Sequence, residues 1–397
     1  MDINQRAIKL HKKFQGKLET VSKVPVTNRE ELSFAYTPGV AAVCNAIKEN
    51  KSLVKNLTLK GRTIAIVSDG SAVLGLGNIG PEAAMPVMEG KAVLFKLFGG
   101  LDAFPICLQT QDPREIVRIV KNLAPTFAGV NLEDISAPRC FEIEEALSGI
   151  GIPVMHDDQW GAAIVTLAGL LNAARVVGKN IKDLKIVING AGAAGMAIAR
   201  MLLCLSFEQG SCTPVSDLIM IDSEGIIGRQ TGALKEIGLM RKNWNRYKEE
   251  IAKHSNKKNL SGGLKDALKG ADVFIGVSRA NLLTSDDILL MAKDPIVFAL
   301  ANPVPEIMPE EAKKGGAKVV ATGRSDYPNQ INNLLAFPGV FKGAIRSGAM
   351  KITNGMKLAA SLTLAKMIDS PSAEKIIPSV FEKGLAEKVA RAVEKAV

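Results

Sequence analysis

Two kinds of chemistry can be read from the residue types of this chain. Gly190, Gly192 and Gly195 form G-x-G-x-x-G directly after the apolar run KIVIN and at the start of a helical pattern. That layout suits a dinucleotide. The first glycine permits a tight turn, the second lets the backbone approach a pyrophosphate, and the third lets helix and strand pack closely. Ala193 and Ala194 complete the loop, and the helix N-terminus offers free N–H groups and partial positive charge to phosphates. Asp222 ends the next apolar run, 27 residues beyond Gly195, where an acid bonds the ribose hydroxyls of such a cofactor. A carboxylate there favours NAD over NADP because it repels a 2′-phosphate, and Arg229 nearby opposes that preference.

The second chemistry is that of gathered carboxylates. NLED (131–134) and HDDQ (156–159) each place two acids at the end of a predicted strand, where ligands collect in open α/β sheets. Glu133, Asp134, Asp157 and Asp158 would repel one another unless a cation or a lysine sits among them. Hard oxygen ligands point to Mg²⁺ or Mn²⁺ rather than zinc. By themselves, these acids read equally well as exposed loop residues or helix N-caps. A second glycine match, Gly75, Gly77 and Gly80, is separated from its strand by SDGSAVL. It reads as a loop that packs near a site rather than as a nucleotide cradle.

Composition limits the alternatives. The 397 residues include only three histidines, His11, His156 and His254, which excludes a site built from several. His156 reads as a packed residue, the other two as solvated surface. Basic residues exceed acidic ones by 50 to 40, yet the lysines fall in scattered pairs and aromatics are only 5%. A basic stripe or stacking platform for nucleic acid is not expected. Five cysteines without C-x-x-C read as reduced thiols. With no signal-like N-terminus and no apolar span of membrane length, the chain is expected to be soluble and cytoplasmic.

These residues need elements to hold them. Strands are expected at 63–70, 104–108, 127–132 and 151–158, followed by a long buried helix from Trp160 to Gly178. A second series of apolar runs follows at 185–190, 217–222, 271–278, 295–300 and 318–322, with helical patterns at 193–206, 230–254 and 306–315. Such alternation implies a parallel sheet covered on both faces. The end of the chain, including residues 372–397, reads as helical. The class is therefore α/β: an N-terminal α/β domain (1–160) that carries the candidate catalytic acids, a Rossmann-type dinucleotide-binding domain (161–340) and a helical C-terminal segment (341–397).

Several longer segments resemble the malic enzymes, specifically their short prokaryotic form. They are ELSFAYTPGVA (31–41), SDGSAVLGLGNIGPEAAMPVMEGKAVLFK (68–96), NLEDISAPRCFEIE (131–144), HDDQ (156–159), VFALANPVPEI (297–307) and ATGRSDYPNQINNLLAFPGVF (321–341). The resemblance implies oxidative decarboxylation of malate to pyruvate and CO₂ with NAD or NADP and Mg²⁺ or Mn²⁺. It implies that Glu133, Asp134 and Asp158 hold the metal and that Lys91 takes the C2 hydroxyl proton with Asp157 as its charged partner. Tyr36 resembles the acid that protonates C3. Asn302 and Asn332 resemble the amides that hold the substrate carboxylate, and Asn302 and Asn333 lie by the cofactor. A small dicarboxylate substrate and a homodimer or higher homo-oligomer are implied as partners.

The chain also departs from the family pattern. HDDQWGAA stands where relatives usually read HDDQHGTA, and GAIRSGAMKITNGMKLAA (343–360) lacks the usual acidic positions. Ser71 and Ala72 occupy the place where larger relatives carry an arginine before GLG. Two other readings share the cofactor. One is a non-oxidative malate or oxaloacetate decarboxylase; the other is an amino-acid dehydrogenase of the same domain order, in which the acidic doublets have no role.

Overall fold

The run Thr63–Ser68 is β-branched or small at nearly every position and is buried at all of them, as a strand covered on both faces must be. The computed structural model, which describes residues 2–73, 75–229 and 241–397, places it as β1 in the middle of a four-stranded parallel sheet. The helices that precede it include α1 (Ile3–Phe14), α2 (Arg29–Ala35) and α3 (Val40–Glu49). After it come α4 (Gly80–Leu94), β2 (Asp102–Cys107), α5 (Pro113–Leu123), β3 (Gly129–Leu132), α6 (Arg139–Leu147) and β4 (Val154–His156). The strand order is β2-β1-β3-β4. The chain therefore reverses its direction of growth between β1 and β3, and an open cleft forms beyond their carboxyl ends.

The helix α7 (Asp157–Val176) starts directly at the acids of HDDQ, three residues earlier than expected, and is buried along most of its length. The second sheet contains β5 (Lys185–Asn189), β6 (Asp217–Asp222), β7 (Gly225–Ile226), β8 (Val273–Gly276), β9 (Ile296–Ala299) and β10 (Val319–Thr322), ordered β10-β9-β8-β5-β6-β7. All five strands expected from the apolar runs are present and parallel. The two-residue β7, too short to leave a periodic signal, adds an antiparallel edge. Helices α8 (Ala193–Leu202), α9 (Arg246–His254) and α10 (Pro309–Lys314) connect these strands. The first part of the helical pattern at 230–254 lies outside the described residues.

The C-terminal helices α11 (Phe337–Arg346), α12 (Asn354–Lys366) and α13 (Leu385–Glu394) pack back on the first sheet and α7. Phe337 and Phe341 meet Phe95, just after α4, at ring distances of 4.7 and 5.5 Å. Each buried ring contributes about 1.5–3 kcal/mol. Residues 372–384 are not helical, because Pro378 interrupts the amphipathic pattern that suggested it. One cysteine expectation is corrected. Cys204 and Cys212 form a disulfide, since the turn after α8 brings their Cα atoms to 5.8 Å. Cys44, Cys107 and Cys140 are free, as expected.

Candidate active site

Glu133 and Asp134 follow β3, and Asp157 and Asp158 open α7 beside it, so the parallel pairing of β3 with β4 sets the two doublets side by side. One oxygen from each of Glu133, Asp134 and Asp158 lies within 4.8 Å of the others. Asp134 is turned toward Asp158 by a left-handed backbone (φ 54°), and its amide donates to Asp158 Oδ2 at 2.7 Å. Asp134 Oδ2 is buried without a hydrogen-bond partner among the described residues. Burial and the neighbouring acids raise Asp134 to about 8 and hold Glu133 well above the usual carboxylate range, Lys91 opposing both. A divalent cation would remove that strain. An all-oxygen set of this kind fits Mg²⁺ or Mn²⁺.

Lys91 projects from α4 into the same cluster. Its Nζ lies 2.6 Å from Asp157 Oδ2 and 2.7 Å from Glu133 Oε1. It also sits 4.4 Å from the centre of the Phe337 ring. Burial works against its charge, but Asp157, Glu133 and Asp158 outweigh burial and hold the ammonium above the usual lysine range. Asp157 is fully buried, and its Oδ2 also accepts from Asn333 Nδ2 at 2.8 Å. That approach requires Gly161: a Cβ there would collide with Asp157 Oδ1 and with Asn333. Asn131 Nδ2 donates to Glu133 Oε2 at 2.7 Å and orients it.

The three glycines of the loop after β5 stand in different surroundings. Gly190 has φ 123° and its Cβ would press on Val277 O, and a Cβ on Gly195 would strike Gly190 O. A Cβ on Gly192, by contrast, would meet nothing within 4 Å. Gly192 caps α8 without a side-chain hydrogen bond, so the first-turn N–H groups remain open to a phosphate. A cavity of about 450 Å³ joins the two sheets' clefts. Asp134 and Asp158 line it on one side, Gly192, Ala193 and Ala194 on the other, and Asn302, Asn332 and Asn333 complete it. Asn332 Oδ1 accepts from Leu334 N at 2.9 Å, which leaves its amide N–H₂ free to donate. Gly75 of the second glycine match also lines this cavity, against Asn302, as a packing loop does.

Two expected residues stand apart. Tyr36 is 68% exposed at the end of α2 and does not line the cavity. Asp222 ends β6 as expected, but its Oδ1 pairs with Arg241 and its Oδ2 with Lys248 Nζ at 2.7 Å. Its carboxylate is already engaged by the protein. Burial would raise it, yet Lys248, the Glu224 amide and Arg241 together hold it low. Sequence reasoning missed Asn131, Gly161 and Phe337, since nothing in their spacing marks them.

With this geometry in place, similarity to known proteins settles the family. A model described as "Malic enzyme, N-terminal domain" matches residues 15–115 and 110–148, and one described as "Malic enzyme, NAD binding domain" matches 160–397. The chain belongs to the malic enzyme family. A bifunctional malic/malolactic enzyme of Bacillus subtilis is 54% identical over all of this chain and 93% of its own length. An NAD-dependent malic enzyme of Geobacillus stearothermophilus is 51% identical over all of this chain and 79% of its own. The crystal structure of a malic enzyme described as NAD-dependent, from Thermotoga maritima, superposes with a TM-score of 0.91 at 47% identity, covering 98% of this chain and 99% of that one. Both sheets and the C-terminal helices are therefore those of malic enzymes.

Proposed function

We propose that this protein oxidises malate and decarboxylates it to pyruvate and CO₂ with NAD or NADP as hydride acceptor. The observation that carries this reading is Lys91, held by Asp157 and Glu133 at the edge of a three-carboxylate cluster that shares its cavity with the open Gly192 loop. Lys91 takes the proton of the C2 hydroxyl. Asp157, fixed by Asn333, orients it and balances its charge. Glu133, Asp134 and Asp158 would hold a divalent cation, and Asn302 and Asn332 present amides to a substrate carboxylate. When bound, the cation supplies positive charge that polarises the C2 oxygen and offsets the acids' pull on Lys91, and the nicotinamide accepts the hydride. Gly190, Gly192, Ala193, Ala194 and Gly195 shape the pyrophosphate site.

Tyr36 is the proposed proton donor to C3. It lies in a segment where α1, α2 and α3 bury no residue within one chain, and Ile3, Phe14 and Phe34 are exposed. Lys17 ties this segment to Glu89 and Pro86 of α4, the helix that carries Lys91. A homodimer covers the exposed face and brings Tyr36 against a malate site. The division at residues 160 and 340 is likewise proposed, supported by α7 starting at Asp157 and by the tail packing back on Phe95. Among the described residues no helix is long and apolar enough to cross a membrane. A cytoplasmic setting is proposed on the coenzyme the reaction consumes, since the Cys204–Cys212 bridge removes cysteine chemistry as an argument.

Non-oxidative conversion of malate to lactate is a second reading, favoured by the name of the Bacillus subtilis relative. Malate with Mn²⁺ and each coenzyme separates the two. Reduced coenzyme and pyruvate in equal amounts support oxidation; CO₂ and lactate without net reduced coenzyme support the second reading.

A further inference from the structure

Two departures from the family pattern, Trp160 and the acid-poor stretch 343–360, meet at one place outside the cavity that the metal acids line. Lys357 of α12 is only 7% exposed, and its Nζ sits 3.3 Å from the centre of the Trp160 ring. The one hydrogen bond that Nζ makes among the described residues is a long one, 3.3 Å to Asn354 Oδ1. Lys357, Trp160, Arg200, Lys351 and Glu144 line a cavity of about 170 Å³.

The charges in the wall are unevenly satisfied. Arg200 is paired with Glu250 at 2.9 Å, and Glu145 with Arg246 at 2.5 Å. Both oxygens of Glu144 are used: Oε2 accepts from Trp160 Nε1 at 2.9 Å and Oε1 from the His156 amide at 2.8 Å. Lys357 and Lys351 are left without a carboxylate within ion-pair distance among the described residues. A buried ammonium without an ion-pair partner costs free energy. Burial, helped by Arg200, accordingly pushes Lys357 down to about 8, with Glu144 opposing. The aromatic face recovers only part of that cost.

We infer that this cavity binds a small oxyanion, a carboxylate or phosphate of few atoms, through Lys357 and Lys351, and that its occupancy is felt at the metal acids. The volume lies below the roughly 300 Å³ at which pockets begin to hold larger ligands, so a nucleotide is excluded. An anion draws the ammonium off the Trp160 ring. Trp160 is bonded to Glu144, and Glu144 holds the backbone amide of His156, the residue before Asp157 and Asp158. The cavity is distinct from the one that takes malate and coenzyme, with no lining residue in common.

The test is calorimetric titration of the full-length protein with inorganic phosphate and, separately, with succinate. Trp160 fluorescence is followed in parallel. Saturable binding of at least one anion is expected, accompanied by a change in tryptophan emission. Lys357→Met should weaken it at least tenfold, and Lys351→Ala, an exposed change that leaves the fold intact, several-fold. Trp160→Phe should abolish most of the emission change while calorimetric binding persists. Which anion binds tells phosphate from carboxylate. The inference is overturned if neither anion binds saturably, or if the dissociation constant is unchanged in Lys351→Ala and in any folded Lys357→Met, as it would be for binding at the malate site.

Discussion

Two buried clusters of acid and base stand at strand ends in this molecule, and they are balanced in opposite ways. At the end of β3 and the start of α7, Lys91 faces four acids, Glu133, Asp134, Asp157 and Asp158. At the end of β6 a single acid, Asp222, faces two cations, Arg241 and Lys248. In the first cluster Glu133 and Asp134 are pushed up, whereas Asp222 is held low. The first arrangement is short of positive charge and faces a cavity. In the second, both carboxylate oxygens are already paired, although Lys248 lines a separate cavity of about 320 Å³. A deficit of charge beside a cavity marks a site that binds something, whereas removing one partner from a completed set leaves buried charge uncompensated.

The largest effect that separates the clusters is on rate. Lys91→Ala should lower the turnover of malate by roughly 10²–10⁴-fold, the usual size of a lost acid–base contribution. The dissociation constant for reduced coenzyme, read by fluorescence, should stay nearly unchanged. Retained turnover would remove Lys91 from the proton transfer.

Next in size is the stability of the paired cluster. Asp222→Ala leaves Lys248 and Arg241 buried without their acid and should cost about 3–5 kcal/mol, measured by urea unfolding. A neutral result would mean that the two cations find other partners. The open cluster should respond with the opposite sign. In metal-free protein Asp158→Asn relieves repulsion and should raise stability by about 1 kcal/mol, while weakening Mn²⁺ binding. A loss of stability in that variant would contradict the charge-deficit reading.

The smallest effects are those of pH. Because the folded Asp222 carboxyl is held below its unfolded value, its contribution to stability is complete above that unfolded value. It is lost as pH falls through the folded one. Wild type should therefore lose more stability than Asp222→Ala on acidification below about pH 4. Mn²⁺ binding should strengthen toward pH 8, because Asp134, raised to about 8 in the metal-free protein, must give up its proton to coordinate. Calorimetry in buffers of different ionisation heat would read that proton release; its absence would mean that Asp134 is already ionised.

The comparison also explains what could be read in advance. The strands were legible because both faces of each sheet are covered, so Thr63–Ser68 and Val273–Gly276 are apolar or small without alternation. The acids and glycines were legible because strand ends place them. What escaped was anything settled by distant partners. Asp222 could be placed at the tip of β6, but Arg241 and Lys248 reach it from 19 and 26 residues further on. Asn131 lies in NLED and Gly161 in HDDQWGAA, but their roles emerge only when β3, β4 and α7 stand side by side. The Cys204–Cys212 bridge depends on a turn that has no spacing signature. Tyr36 was singled out by the resemblance alone, and its exposure within one chain follows from the unpartnered surface of α1–α3.

The central claim is that the acid-rich cluster around Lys91 is a metal-dependent site of malate oxidation. It is tested most directly by following reduced-coenzyme formation from malate after chelation and stepwise return of Mn²⁺, in wild type and in Asp158→Asn. Activity should vanish on chelation and return saturably with Mn²⁺, with the half-saturating concentration raised at least tenfold in the variant. Malate oxidation indifferent to the chelator, or an unshifted Mn²⁺ dependence in Asp158→Asn, would contradict it.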